Sequence, residues 1–326
     1  MTASLIGAAE ATEAVPVRGG LMHVGAWHRA APGLPVLAVH GITASHQSWA
    51  RVASHLHDVA VVAPDLRGRG RSRDLPQPGR LDDHADDLVA VLDQFGIERA
   101  VLVGHSMGAF VTTRFAQRHG DRLAGALLVD GGWPLPQPAP RADGSLPRAD
   151  ELLGPAIDRL SMTFTDPEQY REFWRQHPAF GPFWDDWLQA YVDYDLMGRP
   201  PELHPCSHPD AVRANLLELA DAPAHLAALA SLPEGTELVR VDLGLLNEPA
   251  GLYPRDHAAA LVGQLPHLRL TSVEGPNHYT IVLGEPGASL VARATRQALA
   301  AAEARLGTPG DHHLVPAAAA APLEGH

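Results

Sequence analysis

The sequence contains no lysine and only one cysteine, and each shortage excludes a class of protein. All 25 lysine-or-arginine positions are therefore arginines, and 38 acidic residues outnumber them, giving a formal net charge of −13. The arginines are scattered, whereas nucleic-acid binding needs a clustered basic face, so we expect no nucleic-acid partner. A lone Cys206 cannot form an internal disulfide, so the fold must be stable without a covalent cross-link.

Long apolar runs are also missing. No run approaches the roughly 18 residues that a membrane-spanning helix needs. The first 20 residues have neither the basic start nor the apolar centre of a secretory signal. We therefore expect no membrane span and a cytoplasmic location. A lysine-free chain rich in alanine and arginine is what a G+C-rich bacterial genome tends to encode.

Short apolar runs that alternate with helix-like stretches dominate the first 130 residues. Continuous apolar strands separated by helices are typical of a mostly parallel sheet covered on both faces. Residues 15–27 form an exception, because two extended runs flank Arg18-Gly19-Gly20 and predict a hairpin. The predicted strands are 35–39, 59–63, 100–103 and 124–129, and the predicted helices are 49–56, 82–95 and 107–119.

The alternation stops after residue 130 and resumes near residue 234. The interval 131–233 is rich in aromatic residues and proline and shows no buried-strand run, so we interpret it as a helical cap. Strands at 237–241 and 268–273 and helices near 255–265 and 288–306 complete the pattern. We predict an α/β core over 15–130 and 234–306, with flexible tails at 1–14 and 307–326.

The segment Gly104-His105-Ser106-Met107-Gly108 matches the pattern G-x-S-x-G between a predicted strand and a predicted helix. A serine that leaves a buried strand must turn sharply, and this strained turn needs small residues two positions on either side. The following helix begins with the Met107 amide, which can donate to a developing oxyanion. The motif therefore predicts Ser106 as a nucleophile and the Met107 amide as one oxyanion donor.

Two further segments supply what a serine nucleophile needs. His40-Gly41-Ile42 follows a predicted strand, where Gly41 permits close backbone approach and the Ile42 amide can be the second oxyanion donor. A free serine is a poor nucleophile and needs a base. His278 lies in a turn-rich loop after the last strand and follows the serine in chain order, so we predict it as the base.

Four motifs together resemble the α/β-hydrolase superfamily, over roughly residues 15–305. They are the HG pair at 40–41, DLRGRGRS at 65–72, GHSMG at 104–108, and a G-x-x-H turn that ends at His278. The resemblance implies an α/β-hydrolase fold, a mostly parallel sheet flanked by helices with an inserted cap, and hydrolytic activity. Ser106 argues against the haloalkane dehalogenases and epoxide hydrolases of this superfamily, which have aspartate at that position.

The acid of the predicted triad is left open between two carboxylates. In most of the superfamily it follows the penultimate strand, where this chain has Asn247 next to Glu248. In haloalkane dehalogenases and certain lactonases it follows the strand after the nucleophile helix, where this chain has Asp130. We favour Asp130 slightly, with Glu248 as the alternative.

An aromatic cap favours an uncharged, hydrophobic ester or lactone as substrate. We predict His40, Gly41, Trp133 and Tyr279 as substrate-binding residues. No phosphate-binding loop precedes a helix, and the histidines and cysteine at 204–208 lack a fourth ligand, so we expect neither cofactor nor metal. The oligomeric state is open.

Three alternatives to an esterase remain. A C–C bond hydrolase and a biosynthetic thioesterase would use the same triad, and the former would want a basic group such as Arg171 or Arg175 in its pocket. A non-catalytic ligand-binding protein of the same fold is the third, favoured weakly by Asn247.

Overall fold

The computed structural model of the protein describes residues 6–77, 79–136 and 158–307. Its centre is an eight-stranded sheet in the order β1-β2-β4-β3-β5-β6-β9-β10, and a separate hairpin joins β7 to β8. The strands of the described residues are β1 (Ala11–Val17), β2 (Gly20–Trp27), β3 (Val36–Val39), β4 (Val61–Pro64), β5 (Ala100–His105), β6 (Leu123–Val129), β7 (Leu196–Arg199), β8 (Glu202–Pro205), β9 (Thr236–Leu243) and β10 (Leu268–Asn277).

The sheet is parallel from β4 to β10 and antiparallel only at its first edge. β3 to β6 are buried along their whole length, which explains their continuous apolar sequences. The predicted hairpin is confirmed, because Val17 pairs with Gly20 across a two-residue turn in which Gly19 has φ of 90°.

Helices cover both faces of this sheet. The α-helices of the described residues are α1 (Ala50–Ser54), α2 (Leu81–Gln94), α3 (Met107–Arg118), α4 (Pro167–Arg175), α5 (Asp186–Tyr194), α6 (Pro209–Leu219), α7 (Ala222–Leu229), α8 (Arg255–Gln264), α9 (Thr280–Leu283) and α10 (Gly287–Leu306). Their ends follow local rules: Asp166 caps α4 by accepting from the Gln169 amide, and α10 stops at Gly307, whose φ is 69°. A membrane span needs a helix of sufficient length and hydropathy, and the described part of the chain contains none.

Two boundaries of the sequence prediction need correction. Residues 11–14 were assigned to a flexible tail, but they belong to β1, because their polar and small side chains alternate on an edge strand that pairs with β2. The interval 131–233 is not wholly helical, because it contains the β7–β8 hairpin. Residues 137–157 of the predicted cap and 308–326 of the predicted tail lie outside the described residues.

Two hydrophobic clusters lie on opposite faces of the sheet. Alternate residues of each central strand point to opposite faces, so Leu102 of β5 belongs to one cluster and Val103 to the other. Ligands of an open parallel sheet bind outside the carboxyl ends of its strands. β5, β6 and β10 end at His105, Val129 and Asn277, so the next residues, Ser106, Asp130 and His278, lie at one edge.

Candidate active site

Ser106 occupies a strained turn between β5 and α3. Its φ of 54° and ψ of −123° are sparsely populated for any residue with a side chain. A Cβ on Gly104 would lie 2.3 Å from the Gly108 carbonyl oxygen, and one on Gly108 would lie 2.0 Å from the Val39 carbonyl oxygen. Only glycine fits at either position, so the backbone of the turn is fixed by its surroundings.

His278 and Asp130 form a buried pair beside this serine. His278 Nδ1 lies 2.6 Å from Asp130 Oδ2, and Asp130 Oδ1 accepts from the Val241 amide at 3.2 Å. A carboxylate accepts only, so Nδ1 is the donor in this pair, and the neutral form of the ring has its lone pair on Nε2. Ser106, His278 and Asp130 all line one cavity. The arrangement can orient an imidazole as a base and stabilise the imidazolium that forms.

The other candidate carboxylate lies elsewhere. Glu248 is exposed at the cavity wall and accepts from the Leu246 amide at 2.7 Å. Asn247 Oδ1 accepts from Asn277 Nδ2 at 3.1 Å. Within the described part of the chain, Asp130 is the only carboxylate hydrogen-bonded to the His278 ring.

The expected oxyanion donors lie where the turn meets the loop after β3. A Cβ on Gly41 would stand 3.2 Å from the Ser106 Cβ, so the backbone of this loop passes close to the nucleophile. Ile42 lines the cavity. Met107 is the first residue of α3, where amides have no partner within the helix.

His40 was predicted to bind substrate, but it is fully buried and braces the loop instead. Its Nδ1 donates to the Gly41 carbonyl oxygen at 2.8 Å, and its Nε2 accepts from the Leu66 amide at 3.0 Å. Burial lowers the pKa of His40 to about 4, so the ring is neutral and holds this tautomer. The bond polarises the peptide group whose N–H belongs to Ile42.

His105 holds the backbone of the residue assigned as the base. Its Nε2 donates to the His278 carbonyl oxygen at 2.8 Å, and the two rings lie 4.8 Å apart. Burial lowers the pKa of His105 well below its usual range, so this ring is also neutral. The position of His105 in the turn, where its side chain points away from that of Ser106, favours a structural role, but its partner lies 173 positions away and is set by the fold.

Asn277 fixes the loop that carries the base, and sequence reasoning missed it. Its Oδ1 accepts from the amides of Tyr279 and Thr280, at 3.0 and 2.9 Å, which holds the turn around His278. Its Nδ2 donates to the Ala179 carbonyl oxygen at 3.0 Å, which ties the turn to the inserted segment. An Asn next to the predicted base, before a short helix, was the available signal.

Of the three remaining residues predicted to bind substrate, two line the cavity and one does not. Gly41 and Tyr279 line the cavity, whereas Trp133 does not. Trp133 is fully buried in the hydrophobic core and follows Gly132, whose φ of 85° favours glycine. Tyr253 Oη donates to the Trp133 carbonyl oxygen at 2.9 Å and holds that segment in place.

The cavity has a volume of about 500 Å³ and walls that are mostly apolar. The apolar lining includes Phe110, Leu216 and Leu219 from one hydrophobic cluster, and Val282 and Leu283 from the other. The cavity therefore crosses the carboxyl edge of the sheet with an apolar region on each side. Tyr191 is the only aromatic residue of the described insert that lines it, since rings such as Trp174 and Phe180 pack among themselves.

A group of possible metal ligands lies outside this cavity. His23, His46 and Asp65 bring ligand atoms within 4.8 Å of one another. Asp65 already accepts from four donors: the His46 amide, His46 Nδ1, the Arg71 amide and Tyr194 Oη. Burial raises the pKa of Asp65, but His46 and the other donors outweigh burial and lower it overall. This chemistry fits a hydrogen-bond network better than a metal site.

Comparison with known proteins adds family evidence. Residues 35–150 match the family described as "alpha/beta hydrolase fold". The lipase LipV of Mycobacterium tuberculosis is 35% identical over 136 residues, which is 42% of this chain and 48% of the lipase. Epoxide hydrolase B of the same organism is 40% identical over 98 residues, 29% of this chain and 28% of that protein. The chain thus spans about half or less of the length of these relatives.

Solved structures match over nearly the whole chain at low identity. E-2-(acetamidomethylene)succinate hydrolase superposes with a TM-score of 0.71 and 18% identity, covering 89% of this chain and 99% of that one. A thioesterase domain from the curacin biosynthetic pathway gives a TM-score of 0.66 and 21% identity over 88% and 98% of the two chains. These likenesses concern the fold.

Proposed function

Because this chain belongs to the α/β-hydrolase superfamily, we propose that it is a serine hydrolase that cleaves carboxylic ester or lactone bonds of an apolar small molecule. One observation carries the proposal. A strained Ser106 shares an apolar cavity with a His278 ring whose Nδ1 is held 2.6 Å from Asp130. We assign these three residues as nucleophile, base and acid.

The reaction proceeds through an acyl-enzyme. Ser106 Oγ attacks the substrate carbonyl carbon and gives its proton to His278 Nε2, while Asp130 stabilises the imidazolium. The amides of Ile42 and Met107 hold the oxyanion. The tetrahedral intermediate expels the alcohol, which takes the proton from Nε2. Water then attacks the acyl-enzyme with the same base, releasing the acid and Ser106.

The cavity walls support the substrate class. Apolar residues of both hydrophobic clusters line the cavity that contains Ser106, so an uncharged substrate can place apolar groups against them beside its ester bond. Among the described residues that line the cavity there is no arginine. Arg171 and Arg175, suggested above as partners for a C–C hydrolase substrate, form ion pairs with Asp193 and Glu168 instead.

Hydrolysis of p-nitrophenyl esters from acetate to laurate tests the proposal. We expect turnover by the wild type and a loss of at least three orders of magnitude in Ser106→Ala, because no nucleophile remains. Ser289→Ala is the matched control, since that serine is half-buried, lies outside the cavity lining and donates to the Pro286 carbonyl oxygen at 2.9 Å. Both variants should keep the wild-type melting temperature.

A fluorophosphonate label separates the alternatives. Labelling of wild-type Ser106 without turnover of any ester would favour a thioester or C–C substrate, to be tested next. Absence of both labelling and turnover would favour a non-catalytic binding protein. Equal rates in the wild type and Ser106→Ala would contradict the proposed nucleophile.

A further inference from the structure

Four arginines of the described chain are among its largest fully buried side chains, and one of them differs from the rest. Arg67 pairs with Asp87, Arg159 with Asp195, and Arg240 with Asp242, at 2.7 to 2.9 Å. Arg69 forms no ion pair with any carboxylate that the structure describes. A buried charge without a partner is costly, so an unpaired one that persists requires an explanation.

The contacts of Arg69 lead to the two residues assigned as oxyanion donors. Its Nε donates to the Ile42 carbonyl oxygen at 2.9 Å, and its Nη2 lies 3.9 Å from Met107 Sδ. The other contacts are backbone oxygens, Arg67 at 3.1 Å and Ala211 at 3.4 Å. Good N–H···O bonds are about 2.7–3.2 Å long, so Nη2 is weakly bonded.

Arg69 is nevertheless a cation at neutral pH. Burial lowers its pKa, but only to about 9. Its charge also acts on the oxyanion loop: burial lowers the pKa of His40, and the charge of Arg69 adds to that lowering. His40 in turn donates to the Gly41 carbonyl oxygen. The charge of Arg69 therefore acts on the ring that donates to the carbonyl oxygen of the peptide group presenting the Ile42 amide.

We propose that Arg69 is a positioning residue of the oxyanion hole, whose unpaired charge gains its counter-charge when the substrate oxyanion forms. Carboxylates already neutralise the other three arginines, so those arginines have no unpaired charge to stabilise the oxyanion. An interaction that is stronger in the transition state than in the ground state raises kcat with little effect on KM. Arg69 also contacts Ala211 of α6, so the same side chain links the oxyanion hole to the inserted segment.

Two substitutions separate charge from bracing. Arg69→Gln removes the charge but keeps hydrogen-bonding groups, and we expect kcat to fall about 10- to 100-fold with KM changed less than about twofold. Binding of an alkylboronic acid, which forms a tetrahedral anion on Ser106, should weaken by the same factor. Arg240→Gln is the matched control, because Asp242 keeps Arg255 as a partner. It should lower the melting temperature without changing kcat or boronate binding.

Arg69→Lys makes the charge titratable within one folded protein. Burial lowers the pKa of a lysine, so kcat should fall as pH rises from 6 to 8.5, unlike in the wild type. This profile alone decides the question if Arg69→Gln does not fold. The assignment is overturned if folded Arg69→Gln keeps kcat within threefold of the wild type, or if Arg69→Lys shows no such fall.

This assignment rests on the proposed function, and the two fail differently. If the wild type neither hydrolyses esters nor binds the boronate, the serine hydrolase proposal fails and the role of Arg69 falls with it. If the wild type does both and the Arg69 variants match it, only the role of Arg69 is refuted.

Discussion

Replacing Asp130 by Asn tests the assigned acid at a single atom. The amide keeps the shape of the carboxylate, and its oxygen can still accept from the Val241 amide at the Oδ1 position. Its NH₂ group then faces His278 Nδ1, where the carboxylate stood at 2.6 Å. Two donors cannot face each other, so the ring must move its proton to Nε2 and present an N–H to Ser106.

The size of the effect follows from that distance. Unit charges 2.6 Å apart attract by about 6 kcal/mol at an effective dielectric constant of about 20. This is an upper bound, because both charges are delocalised. Each 1.36 kcal/mol is about tenfold in rate, so losing the imidazolium's partner costs up to about four orders of magnitude. We expect kcat to fall about 10³- to 10⁴-fold in Asp130→Asn.

The assay is p-nitrophenyl butyrate hydrolysis by Asp130→Asn and Glu248→Gln side by side. The Glu248 side chain is exposed and accepts from the Leu246 amide, not from the His278 ring, so Glu248→Gln should stay within about threefold of the wild type. Near-UV circular dichroism checks that both variants are folded. A larger loss in Glu248→Gln than in Asp130→Asn would refute the assignment of Asp130 as the acid.

Three further predictions concern the loop, the buried histidines and the cavity. Gly41→Ala puts a Cβ 3.2 Å from the Ser106 Cβ, so kcat should fall about tenfold, with melting temperature as the check on folding. Burial lowers the pKa of His40 to about 4 from about 6.5 in the unfolded chain. Between pH 4 and pH 6.5 the His40 ring binds a proton in the unfolded chain but not in the folded one. This ring should therefore lower the free energy of unfolding by about 3 kcal/mol as pH falls from 6.5 to 4. Urea titrations across that range measure the drop, and a flat profile would contradict it. Leu219→Phe puts a larger side chain in the apolar lining and narrows the cavity. The ester that is hydrolysed fastest should then have a shorter acyl chain, while the rate on the acetate ester stays within threefold of the wild type.

Local sequence was sufficient for the features whose cause is local. The strained turn at Ser106 needs glycines at 104 and 108, because a Cβ at either position would overlap backbone atoms. The hairpin at Arg18-Gly19 and the buried strands follow from turn chemistry and continuous apolar runs in the same way. A motif that determines its own backbone geometry can be recognised from sequence without knowing which residues pack around it.

Packing in three dimensions brings together side chains that are distant in the chain. Asp130 and Glu248 follow neighbouring strands, β6 and β9, so their positions in the chain could not show which of them is the acid. Asp130 reaches His278 because its own amide still pairs with the Val239 carbonyl oxygen at 2.7 Å, which fixes where its side chain points.

The same limit applies to Trp133 and Arg69. Trp133 packs in the core, and Arg69 differs from the other buried arginines because it has no carboxylate partner among the described residues. The spacing of residues along the chain predicts neither the burial of Trp133 nor the missing partner of Arg69. His278 and Asp130 are 148 positions apart and meet only because the sheet brings their strand ends together. The turn that holds the nucleophile is thus encoded locally, whereas its partners are set by packing.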